Sequence, residues 1–217
     1  EQHFYEEASA YLRWSYETNM SLNKNAAAMV VAVFQRRLAS STYAMLESLK
    51  RRRSRIMQED STVVQSISPS VERIIEHFDN STADENEASV DGRETDEQFE
   101  DQALSLLKPL NLKQREKEME YLDRIIDLGE KVRETLQEAK FVKLRELIES
   151  AEFQNEKILI FTEHRDTLDY LRQRFEALGY TGQIASIHGG MDVEEREQQR
   201  NFFMPPELRQ PAKKGLP

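Results

Sequence analysis

At Lys157-Ile158-Leu159-Ile160-Phe161-Thr162-Glu163-His164-Arg165-Asp166 the sequence changes character. Four bulky apolar residues stand in a row without alternation, where the segments just upstream space theirs by three and four. A short, β-rich run of that kind predicts a strand buried on both faces. Downstream, Asp166 with Asp169 three positions later reads as a helix N-cap. Leu168, Leu171, Phe175 and Leu178 form one stripe, and Gly179 ends it. Residues 183–187 read as a second short strand and His188-Gly189-Gly190 as a turn. Asp192 with Glu195 then opens another capped helix to Phe203, closed by Pro205 and Pro206. Strand, helix, strand, helix at this spacing predicts a right-handed βαβ unit, the start of a parallel sheet.

Working toward the N-terminus, residues 103–150 are helical in pattern. Met119, Leu122, Ile125, Ile126, Val132, Leu136, Val142, Leu144, Leu147 and Ile148 keep the three/four spacing, interrupted near Gly129. Residues 61–102 are rich in Ser, Thr, Asn, Asp and Glu. A short helix over 69–78 is expected there, with disorder over 79–101, which cannot bury enough apolar surface to offset its ordering entropy. Residues 1–68 contain neither Gly nor Pro, and predict helices over 4–20 and over about 25–58. The expected fold is therefore mostly α with a partial α/β unit. It divides into a helical region over 1–78, an acidic insertion over 79–102, a helical hairpin over 103–151 and an incomplete α/β segment over 152–217.

The 217 residues hold no cysteine, which removes thiol nucleophiles, disulfides and Cys-ligated zinc, and fits a reducing cytoplasm. The longest apolar run is nine residues, Ala26 to Phe34, short of the roughly 20 a bilayer span needs. With no signal-peptide pattern either, the expectation is a cytoplasmic protein without a membrane partner. The net charge of −10 is unevenly placed. Residues 79–101 carry ten acidic side chains against Arg93, whereas 24–58 carry eight basic ones against Glu47. The acidic balance therefore leaves a polyanion partner open. No two of the four histidines have HExxH spacing, and no metal site is expected.

The strand and loop at 157–168, the helix closed by Gly179-Tyr180, and then Ile187-His188-Gly189-Gly190-Met191 with Glu195-Arg196 and Phe202-Phe203 resemble the opening of the second RecA-like lobe of superfamily 2 helicases, the Swi/Snf-like branch above all. Upstream, Val33-Phe34-Gln35-Arg36-Arg37-Leu38-Ala39-Ser40-Ser41-Thr42 and the basic run after it are similar to the helical segment joining the two lobes in bacterial members. The resemblance covers about 24–58 and 140–203. It implies an ATP-driven motor that clamps a nucleic-acid backbone. Thr162, Arg165, His188, Gly189 and Arg196 would lie at that backbone, with Arg36 and Arg37 as further contacts. A hydroxyl or guanidinium can bond phosphate oxygens without reading sequence. Val193 stands where DEAD-box relatives carry Gln, which favours DNA over RNA.

No G-x-x-x-x-G-K-[ST] and no Asp-Glu-x-His box occurs, and residues 204–217 show neither the next strand nor an Arg-rich motif. The reading is thus a piece of a helicase or translocase with no catalytic residue or cofactor of its own. ATP and Mg²⁺ belong to the complete parent, whose remaining segments are partners. The rival reading is a non-catalytic helical adaptor that binds proteins through its basic and acidic segments. Two short strands are too little sheet to stand alone, so the βαβ piece is expected to lean on 112–150, to self-associate or to fray. Lys50, Arg51, Arg52, Arg53 and Arg55 read most simply as a solvated basic helix end, with phosphate tracking as the sharper alternative. Trp14, Tyr11 and Tyr16 read as a packing cluster.

Overall fold

The computed structural model describes residues 1–20, 24–58, 111–135, 138–153 and 156–205. The expected helix at 69–78 and the expected disorder at 79–101 lie outside the described residues. The chain divides into two compact units, Glu1–Arg145 and Glu146–Pro217.

The first unit is built from α1 (Gln2–Asn19), α2 (Lys24–Ser40), α3 (Thr42–Gln58) and α4 (Leu112–Thr135), with α5 (Ala139–Ile148) at its end. Each helix turns one stripe inward. Phe4, Ala8, Tyr11 and Leu12 come from α1, and Met29, Val30, Val33, Phe34 and Leu38 from α2. Met45, Leu49 and Ile56 from α3 and Leu122 and Ile125 from α4 complete one continuous apolar cluster. Tyr11 meets Phe34 edge to face at 6.1 Å, and Trp14 lies 5.4 Å from Tyr121. The aromatic group led by Tyr11 and Trp14 therefore packs helices together.

The single helix expected over 25–58 is interrupted at Ser41. The hydroxyl run Ser40-Ser41-Thr42 offers the backbone local alternatives to helical bonding. The Ser41 hydroxyl accepts from the Ala44 N–H at 3.0 Å, acting as an N-cap. Arg37 is 1% exposed, and its Nη1 donates to the Ala44 carbonyl across the break. The Thr42 N–H donates to Oε1 of the buried Glu138 at 2.8 Å. The carboxylate that precedes α5 is thus spent on the start of α3.

Gly129 marks a close helix contact. A methyl group there would stand 2.8 Å from the Phe4 ring and 2.9 Å from Leu46 Cδ1, both fully buried. The dip in the apolar pattern at this position is therefore an approach point between helices, filled from the other side.

The second unit contains α6 (Arg165–Phe175), one wider turn over Glu176–Tyr180 and α7 (Val193–Phe203). Gly179 adopts φ 98°, the left-handed conformation expected of the residue that stops this helix. The N-cap is His164, extended at φ −106° and ψ 134°, and not Asp166, which falls inside the first turn. For α7 the expected box is present: Asp192 Oδ1 accepts from the Glu195 N–H at 2.7 Å, and Glu195 Oε2 accepts from the Asp192 N–H at 3.3 Å.

The two expected strands do not form among the described residues. Residues 157–162 and 184–188 run without regular secondary structure. Leu159 is 66% exposed, Phe161 90% and Ile187 50%, which contradicts burial on both faces. Such strands need neighbours on both edges and helices on both faces, and two segments with two helices cannot supply them. Instead the Ser186 N–H donates to Gln199 Oε1 of α7 at 3.1 Å, so a side chain takes a bond that a ladder would use. The described residues are thus mostly helical.

Candidate nucleic-acid interface

In the second unit, Arg165 and Arg196, 31 positions apart, both reach the 188–190 turn, which carries the expected contacts His188 and Gly189. Arg165 is the first residue of α6, so its side chain leaves from the helix start, and its Nη1 lies 3.1 Å from His188 Nδ1. Arg196 sits one turn into α7 and reaches back, its Nη2 donating to the Gly189 carbonyl at 2.8 Å. The turn itself closes through the Met191 N–H donating to the His188 carbonyl. Two guanidinium groups thus bracket a His-Gly-Gly turn. Thr162, the fifth expected residue of this segment, is half-buried in the run just before α6.

Three participants were not anticipated. Asp169 Oδ2 stands 3.5 Å from Arg165 Nε, an exposed pair one helical turn apart that adds little stability. Gly190 is held close: a methyl group there would lie 3.5 Å from Arg165 Nη1 and 3.6 Å from His188 Nδ1. Glu195, which caps α7, also acts on the histidine through its charge. The i,i+4 spacing of Arg165 and Asp169 was the available signal for the first, and the paired glycines for the second.

The His188 pKa is held below its ordinary value of 6.5, by partial burial and then by Arg165, with Asp169 and Glu195 pulling the other way. The imidazole is therefore neutral near pH 7, and its Nδ1 lone pair can accept from the Arg165 guanidinium. Each guanidinium keeps further N–H donors beyond the bond described, the geometry for holding anionic oxygens. At the start of α7, Asp192 already takes the Glu195 amide.

In the first unit the expected contacts separate. Arg36 is exposed, whereas Arg37 is buried at the α2–α3 break and presents no surface to a ligand. The basic run after it is not a solvated helix end. Arg52 is 0% exposed and grips Glu118 of α4 through two bonds, Nε to Oε1 at 2.9 Å and Nη2 to Oε2 at 3.0 Å. The Tyr11 hydroxyl donates to the same Oε1 at 3.0 Å. Burial, then the Glu118 charge, push the Tyr11 pKa well above its ordinary value. Lys50 meets Glu130 and Glu47, and Arg53 meets Asp123. Burial works against the charge of Lys50, but its two carboxylates outweigh it and hold its pKa above the usual lysine value.

No group of three or more His, Cys, Asp or Glu side chains is placed to hold a metal ion among the described residues. No helix among them is long and apolar enough to cross a membrane.

No family model, curated protein or solved structure matches this chain. The residues themselves carry whatever functional reading is made.

Proposed function

We propose that this chain is part of an ATP-dependent DNA helicase or translocase of the Swi/Snf-like kind, contributing grip on a nucleic-acid backbone. The observation that carries the reading is the bracketing of the 188–190 turn by Arg165 and Arg196. Residues 23 and 31 positions apart in the motif order meet around one turn and leave N–H donors for phosphate oxygens. Arg165, Arg196 and His188 are the contacts, with Thr162 before them and Gly189 admitting the backbone closely. Arg36 is the exposed contact of the helical unit, while Arg37, buried at the α2–α3 break, is not a contact. DNA is the favoured substrate, since Val193 replaces the Gln of the RNA-acting branch. On this reading residues 152–217 are an incomplete second RecA-like lobe, and its place is the cytoplasm.

The residues present do not fit ATP and Mg²⁺. The sequence has no phosphate-cradling loop and no acidic box, and the described residues gather no carboxylate group for a cation. Nucleotide chemistry resides in the remaining segments of the parent, and this chain alone is expected to hydrolyse no ATP above a blank.

One observation favours the rival reading for the helical unit. Lys50, Arg52 and Arg53 are paired to α4, so much of the basic charge of α3 holds protein and is not offered to a polyanion. That unit then acts as a helical adaptor. Fluorescence anisotropy with a labelled DNA duplex separates the two: the motor reading expects binding that weakens steeply between 50 and 200 mM salt. Absence of binding, or binding indifferent to salt, overturns it. Reading the coding sequence on either side adds a second check, with a phosphate-binding loop expected upstream and an Arg-rich motif downstream.

A further inference from the structure

The 157–163 segment is self-complementary, and nothing in the proposed function uses that property. Written against itself in the antiparallel sense about Ile160, it places Lys157 opposite Glu163, Ile158 opposite Thr162, Leu159 opposite Phe161, and Ile160 opposite its own copy. With the two-residue period of a strand, Lys157, Leu159, Phe161 and Glu163 share one face. All four are exposed, Leu159 at 66% and Phe161 at 90%; on the other face Ile160 is exposed at 42%, while Ile158 and Thr162 are half-buried. The segment has four bulky apolar residues, no Pro or Gly, and lies in no strand ladder, the composition of an edge that captures another edge.

We propose that residues 157–163 pair antiparallel with the same residues of a second copy, making a two-fold dimer centred on Ile160. Charge complementarity selects this occupant and register. A shift by two residues sets Lys157 against Phe161 or beyond the partner strand, whereas the centred register closes both ends with a Lys157–Glu163 pair and packs Leu159 on Phe161 twice. Directly opposed side chains of this type act at about 5 Å. In the single chain Lys157 Nζ reaches the Phe203 carbonyl and lies 5.5 Å from the Phe203 ring, while Glu163 stands 4.0 Å from His164 Nε2. Dimerisation exchanges those contacts for the cross-strand pairs.

The test is sedimentation of the full 217-residue chain over a range of concentrations, followed by charge swaps. The wild type is expected to show a reversible monomer–dimer equilibrium. Lys157→Glu or Glu163→Lys alone weakens association at least tenfold by placing like charges opposite, and the double swap restores it. The double swap does not restore the Lys157–Phe203 contact, so rescue reports the intermolecular pair. Because the chain lacks cysteine, cross-linking gives a check that does not depend on those variants folding well. Ile160→Cys meets its own copy and forms a disulfide-linked dimer on mild oxidation, whereas Lys157→Cys lies about 20 Å from its copy and does not. A chain that stays monomeric, a single swap without effect, a double swap without rescue, or equal cross-linking at 157 and 160 overturns the proposal. Occupancy of this edge by a different protein would show as the first of these.

Discussion

The helical unit and the second unit treat the same kinds of residue in opposite ways. In the helical unit, apolar stripes from α1 to α4 meet in one cluster, and charges that fall on those stripes are buried with partners. In the second unit, Leu159, Phe161 and Ile187 stay in solvent, and its charges sit at the surface around a turn. Whether a segment is buried therefore depends less on its own hydrophobicity than on whether facing segments exist. Residues 158–161 are more apolar than most of α4, yet α4 supplies core and they do not. Long helices find neighbours among the described residues, while a parallel sheet needs several more strands than the two segments expected there could supply.

Removing one partner from the buried charge group should give the largest effect. Glu118→Ala takes from Arg52 the carboxylate it grips in the core, and from the Tyr11 hydroxyl its acceptor. Its cost should be about 3–5 kcal/mol, read as a loss of chemical-denaturation midpoint in the helical unit. The double variant Arg52→Met/Glu118→Leu should recover most of that loss, because apolar isosteres can replace a buried pair. If Glu118→Ala cost less than about 1 kcal/mol, the group would be solvated and the contrast with the second unit would fail.

Next comes Gly129→Val, which pushes atoms into Phe4 and Leu46. Overpacking of this kind costs about 1–3 kcal/mol, and a valine in the helix recovers only part of it through propensity. The variant should melt several degrees lower, and an unchanged melt would show that α4 can move away. A smaller loss is expected in the second unit. Asp192→Ala removes the cap of α7 and about 1 kcal/mol of local stability, visible as faster amide exchange over 193–197 with the helical unit unchanged. Equal loss in both units would erase the division between them.

The smallest effect concerns pH. The His188 pKa lies below its unfolded value of 6.5, so the folded turn favours the neutral ring. The contribution is full above pH 6.5 and is lost as pH falls through that value toward the folded pKa. The His188–Arg165 contact should therefore loosen on acidification, followed by the His188 ring resonances in NMR. A ring that titrates at or above 6.5 would contradict the geometry.

Much of the helical unit was legible because its periodicities are long and its stripes are wide. The break at Ser41 was legible only in part: the Ser40-Ser41-Thr42 hydroxyl run and its cap are local, but the Thr42–Glu138 hydrogen bond that supports them spans 96 positions. The basic run misled for a related reason. Arg52 was read with its charged neighbours, yet it stands on the stripe Met45, Leu49, Arg52, Ile56, and Glu118 stands on Glu118, Leu122, Ile125, Gly129. One charge of each sign at an inward position on two helices was the readable sign of a buried pair. In the second unit the caps at Gly179 and Asp192 were legible because they are local. The strands were not fulfilled, because strand formation is decided by partners and not by the segment. Arg165, His188, Gly189 and Arg196 could be chosen from motif order, and only coordinates show that the two arginines reach the same turn.

The central claim is that this turn, bracketed by two arginines, grips a phosphate backbone. The most direct test measures duplex-DNA affinity against salt for the wild type, Arg165→Gln/Arg196→Gln and Arg37→Gln. The claim predicts that the first variant binds more weakly at every salt concentration and flattens the log–log salt slope by about 2, one ion for each lost arginine. Arg37→Gln, altered at a buried position, should keep the wild-type slope. Superimposable curves for the wild type and the Arg165/Arg196 variant would contradict it.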